Sequence, residues 1–130
     1  MRIGVCVALA CLCIGVVTGA QTQKDRMTIL GTSDLSAPGR QAITAIDDLE
    51  PESATGWHTH LGDMVGYVTA GSIVIEQRGK DSLTLQSGES FVIPAGIAHN
   101  SRNTSRLPAQ MFVTFIVEKD KPLSAPAAPR

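Results

Sequence analysis

Gly88-Glu89-Ser90-Phe91-Val92-Ile93-Pro94-Ala95-Gly96-Ile97-Ala98-His99-Asn100-Ser101-Arg102-Asn103 is the stretch whose reading decides the fold. Ser87-Gly88-Glu89 is a turn. Phe91-Val92-Ile93 is a short strand run, and the Pro-x-Gly turn Pro94-Ala95-Gly96 stops it. A histidine then follows at once. The same grammar of short strands and tight turns extends outward in both directions. Ser72 to Gln77 is β-branched, Arg78 to Asp81 turns the chain, and Ser82 to Gln86 alternates polar residues with Leu83 and Leu85. Met111 to Val117 is apolar at nearly every position, which predicts a strand covered on both faces. Val65 to Thr69 and Met27 to Leu30 are further strand candidates.

One segment is ambiguous. From Arg40 to Glu50, Ile43, Ile46 and Leu49 fall at helical spacing, whereas Ala42, Thr44 and Ile46 alternate. A lone helix among so many hairpins would lack a docking place, so this segment too reads as a strand. Strands at this spacing predict an all-β sandwich or barrel.

The chain contains three histidines, His58, His60 and His99. On a strand, His58-Thr59-His60 puts both imidazoles on one face, about 6.6 Å apart along the backbone, and two such rings can converge on one ion. From His60, three residues lead to Met64 and six more to Gly71. In the second cluster Gly88 is followed by five residues, Pro94-Ala95-Gly96, two residues, His99, three residues and Asn103. These spacings resemble the two motifs of the cupin superfamily, G(x)5HxH(x)3–4E(x)6G and G(x)5PxG(x)2H(x)3N. The second motif fits at every defined position. The first departs twice, with Glu52 at its first glycine and Met64 at its glutamate. The interval Ser72 to Ser87 between the motifs suits one hairpin.

The resemblance implies an antiparallel jelly-roll β-barrel, one domain, with a metal inside one open end. His58, His60 and His99 would be the ligands of one divalent ion: iron, manganese, zinc, nickel or copper. Met64 would either line the pocket or act as a weak fourth, thioether ligand that favours copper. Asp63 points away by strand parity. Asn103 reads as a loop-fixing side chain, and Trp57 and Tyr67 as packing or subunit-contact residues. Three imidazoles leave the charge of a divalent ion uncompensated, so a small anionic organic molecule is the expected substrate. Dioxygenase- or isomerase-type chemistry is the expected activity, with a non-catalytic ligand- or metal-binding module as the alternative. Barrels of this type pair through edge strands, which predicts a homodimer.

Met1-Arg2 followed by the apolar run Ile3 to Val17 and the small residues Thr18-Gly19-Ala20 reads as a signal peptide over residues 1–20. It predicts an exported protein, periplasmic or secreted, with no stable membrane association after cleavage. All three cysteines, Cys6, Cys11 and Cys13, lie in that segment. The remainder offers no disulfide, thiol nucleophile or cysteine-ligated metal. The other expected divisions are a strand or loop segment at 21–39, the barrel at 40–118 and a loose, proline-rich tail at 119–130. With 11 Lys and Arg against 12 Asp and Glu, the chain carries no basic stripe that would suit nucleic acid.

Overall fold

The computed structural model describes residues 25–129, so the expected signal peptide lies outside the described residues. The strands are β1 (Asp25–Asp34), β2 (Arg40–Leu49), β3 (Ser53–Ala54), β4 (His58–His60), β5 (Asp63–Ala70) and β6 (Ser72–Gln77), followed by β7 (Leu83–Gln86), β8 (Ser90–Ile93), β9 (His99–Asn103), β10 (Ala109–Glu118) and β11 (Ser124–Pro126). One sheet runs β1-β2-β10-β5-β8 and the other β11-β4-β9-β6-β7, with β3 added on β9. Every pairing is antiparallel. The all-β jelly-roll expectation holds, with one correction: hydrogen bonding gives two facing sheets rather than a closed barrel. The chain changes sheets at tight corners, and these end the ladders. Gly71 and Gly88 make such a corner with φ of 73° and 97°, joined by bonds from Ser87 N to Gly71 O and from Gly88 N to Val68 O.

The core lies between the sheets and follows strand parity. Met64, Gly66 and Val68 of β5 face inward while Asp63, Val65 and Tyr67 face out. Gly66 is required there, because a Cβ would sit 2.2 Å from the Phe91 ring. Met111, Val113, Phe115 and Val117 of β10 are buried. Phe112, Thr114 and Ile116 face the other way and are only partly covered, Ile116 being 37% exposed. The expected cover on both faces of β10 is therefore present on one, because nothing among the described residues lies across the outer side of this sheet.

The ambiguous segment is β2, with Ile43, Ala45 and Leu49 turned toward the core. Glu52, at the position where the first motif has glycine, adopts φ of 56°. The turn keeps its left-handed backbone although a side chain with a Cβ occupies it, at a strain of about 1 kcal/mol. Within 119–130, expected to be loose, β11 pairs with β4. Leu123 packs on the core, and Ala127 N donates to Trp57 O at 3.0 Å. The prolines did not prevent this because β11 is an edge strand, where a missing N–H is tolerated.

Candidate metal centre

Two adjacent strands bring the three histidines together. His58 and His60 extend from β4 on one face, and the β4–β9 pairing places His58 directly opposite His99. The ring centroids are 4.2 Å apart for His58 and His99, 4.8 Å for His58 and His60, and 5.0 Å for His60 and His99. The turn of the second motif also braces the first, since Gly96 N donates to His60 O at 2.8 Å. Asp63 faces away, as parity predicts, and its Oδ1 accepts from Ala95 N at 3.0 Å to hold that same turn.

Each imidazole is oriented by a backbone carbonyl. Nδ1 of His58 donates to Gly56 O at 2.8 Å, Nδ1 of His60 to Leu123 O at 2.9 Å, and Nδ1 of His99 to Ile97 O at 2.9 Å. A carbonyl can only accept, so each Nδ1 carries a proton, and a ring in that tautomer presents Nε2 as a bare lone pair. Those lone pairs converge. The ligating nitrogens all lie within 4.8 Å of one another, and Nε2 of His58 is 3.2 Å from Nε2 of His60. With both protons committed to carbonyls, two lone pairs at that distance repel unless a cation lies between them. A tetrahedral ion with metal–nitrogen bonds of 2.0–2.1 Å spaces its ligands about 3.3 Å apart. Nε2 of His99 is buried without a hydrogen-bond partner. Burial pushes His60 and His99 down to about 4, so both stay neutral, as a ligand must be, well below the usual titration range of histidine. The donor set fits a divalent transition metal.

Part of the wall around the cluster is apolar. Phe115 lies 4.7 Å from the His60 ring, centroid to centroid. Met64 is buried and lines the same cavity where the motif would place a carboxylate. Asn103 is fully buried and fixes its loop: Nδ2 donates to Leu49 O and Leu107 O, and Oδ1 accepts from Ser105. Trp57 is half-buried at the cavity wall, whereas Tyr67 is 47% exposed on the outer face of the first sheet.

The cavity, about 310 Å³, continues beyond the histidines and reaches a residue that sequence reasoning missed. Asp47 lines it, is 6% exposed, and leaves its buried Oδ1 without a partner. Burial, reinforced by the nearby Asp25 and Asp48 carboxylates, pushes its carboxyl up to about 7. Strand parity was the available signal, because Asp47 is in phase with Ile43, Ala45 and Leu49.

The sequence pattern of the cupin domain matches residues 45–115, more than half of the chain. The chain belongs to the cupin family. Solved cupin-fold structures superpose on it at low sequence identity. A protein with a double-stranded β-helix domain from Klebsiella pneumoniae aligns with a TM-score of 0.66 at 15% identity, covering 84% of this cupin and 89% of that chain. A cupin domain from Bordetella pertussis gives 0.61 at 24% identity, covering 75% and 98%. An oxalate oxidase in complex with glycolate gives 0.62 at 22% identity, covering 82% of this cupin and 56% of the oxidase. The HTH-type transcriptional regulator PuuR of Escherichia coli is 35% identical over 69 residues. That match takes in 52% of this cupin and only 37% of the regulator, so it is a match of cupin domains.

Proposed function

We propose that this cupin binds one divalent metal through His58, His60 and His99 and acts on a small organic molecule held beside it in the cavity. The observation that carries the reading is the set of three carbonyl-oriented imidazoles whose ligating nitrogens lie within 4.8 Å of one another. A bound ion would supply Lewis acidity toward an oxygen of the ligand. The chain's own residues do the rest. Gly56 O, Leu123 O and Ile97 O hold the rings in the ligating tautomer. Phe115, Met111 and Met64 keep one wall of the cavity dry. With Met64 in place of a carboxylate, three imidazoles hold the ion and leave positions open for water or substrate. That arrangement suits dioxygenase- or isomerase-type chemistry, and the oxalate oxidase and DMSP lyase folds that resemble this one support a small-molecule substrate.

The alternative, a non-catalytic binding module, draws its support from Met64 alone. The metal reading is tested by elemental analysis of protein purified without chelator: about one iron, manganese, zinc, nickel or copper per chain is expected. Metal-free protein that takes up none of these ions on titration would remove it.

Two further parts of the proposal concern the whole molecule. The composition of residues 1–20 supports export, which fractionation of the expressing cell checks. The uncovered row Ile46, Phe112 and Tyr67 on the outer face of the first sheet supports a homodimer, which light scattering at micromolar concentration checks.

A further inference from the structure

The cavity has a second polar end that metal binding leaves unused. On β10, Met111 is the register partner of Asp47, and Phe115, whose ring meets His60, is the partner of Ile43. Asp47 therefore lies four residues along the strand from the histidine end, or about 13 Å of backbone. Side chains reach into the gap from both ends and shorten it. Beside Asp47, on β1, Asp25 also lines the cavity and sits opposite Leu49.

Among the described residues neither acid is in an ion pair: those pairs join Arg26 to Asp48, Arg40 to Glu118, Arg102 to Glu76 and Lys119 to Asp34. Asp48, next in sequence, is fully engaged by Arg26 at 3.2 Å and by Gln110 Nε2 at 2.9 Å. Asp47 has the opposite parity and faces inward with Oδ1 unpartnered. A carboxylate this deep without a donor is unfavourable, and a ligand that brings the donor relieves it. A lone hydroxyl would satisfy one oxygen. Two neighbouring carboxylates favour a full positive charge.

We infer that Asp47, with Asp25 beside it, receives an ammonium group, and that the ligand of this cavity is a small zwitterion with its oxygen end toward the histidines. This narrows the anionic substrate class expected from the sequence. The oxygen end rests on the metal reading above; the ammonium end does not.

The test uses the zinc-loaded protein and matched probes in calorimetry: 4-aminobutyrate against butyrate, and 6-aminohexanoate against hexanoate. At one or both lengths the amino acid should bind at least about tenfold more tightly than its amine-free partner, the scale of one charge-assisted hydrogen bond. Asp47→Asn, nearly isosteric, should abolish most of that preference while leaving butyrate and hexanoate binding within about twofold of wild type. Equal affinity of each pair in the wild type, or no binding by any of the four, overturns the inference. So does a preference that persists undiminished in Asp47→Asn. Hexylamine on chelator-treated protein separates the two readings. If zinc fails to bind but hexylamine still prefers wild type to Asp47→Asn, the ammonium site stands and the metal reading falls. If zinc and hexanoate bind while the amine adds nothing, the ammonium site falls and the metal reading stands.

Discussion

At one end of the cavity three imidazoles, those of His60 and His99 buried and that of His58 partly so, each have one nitrogen tied to a carbonyl. At the other, Asp47 lies as deep as His60 with an oxygen tied to nothing. The first end is pre-organised: the chain has already spent backbone acceptors to aim its donors. The second carries an unmet demand that only a ligand or a proton can satisfy. Burial also moves the two ends in opposite directions. Burial lowers the two imidazoles and raises the carboxyl, and in both cases it favours the neutral form.

The largest effect should come from breaking the prepared end. His58→Ala, His60→Ala and His99→Ala should each lose most of the bound metal while circular dichroism stays that of a β protein. Metal content per chain checks this, and an unchanged content in any one variant would take that residue out of the site.

Met64→Glu should come next, with a sign that depends on the ion. With manganese or iron present, the added oxygen ligand should raise the melting temperature above that of wild type under the same conditions. In chelator, a carboxylate buried at residue 64 should lower it, by an amount corresponding to several kcal/mol. A variant that melts lower and is rescued by no divalent metal would favour a metal-free binding module.

Asp47→Asn probes the other end through pH. In metal-free protein the folded carboxyl titrates near 7 and the unfolded one near 3.8, so the folded state holds the proton more tightly. No penalty exists below the unfolded value. It grows as pH rises between the two values and is complete above the folded one. The variant should therefore match wild type near pH 4 and exceed it at pH 8 by a few kcal/mol, given about 1.4 kcal/mol per pKa unit. His60 and His99 act in the reverse direction: their folded values are depressed, so their contribution is intact above about 6.5 and is lost as pH falls toward 4. Urea unfolding at both pH values resolves the two, and a variant no more stable than wild type at pH 8 would mean that Asp47 is not a buried, unpaired carboxyl.

The smallest effect belongs to Glu52→Gly, a control that touches neither end. Replacing a side chain held at φ of 56° with glycine should stabilise by about 0.5–1 kcal/mol. The urea midpoint should rise with metal content unchanged.

The prepared end was legible in the sequence because its signals are local: a His-x-His pair on one strand face, and a Pro-x-Gly turn just before His99. The strand reading of residues 40–50, where both periodicities fit, follows from the lack of a docking place for a lone helix. What stayed hidden depends on strands that pair from elsewhere in the chain. Parity turns Asp47 inward, but only the flanking of β2 by β10 and β1 shows that it is left without a donor while Asp48 is tied to Arg26 and Gln110. The docking of β11 was equally hidden, because Ser124-Ala125-Pro126 has no strand character of its own and depends on β4 for its pairing. Glu52 shows the converse, a motif position whose residue changed while its backbone conformation persisted.

The bond from His60 to Leu123 spans 63 residues. A contact of that separation must meet the loop-closure entropy of the intervening chain. Until β11 zips onto β4, the His60 ring has all its ligating chemistry but no acceptor to stop it rotating. On the metal reading proposed above, the site would reach its full set of oriented rings only once the C-terminal strand is in place, so capture of the ion would finish folding rather than start it.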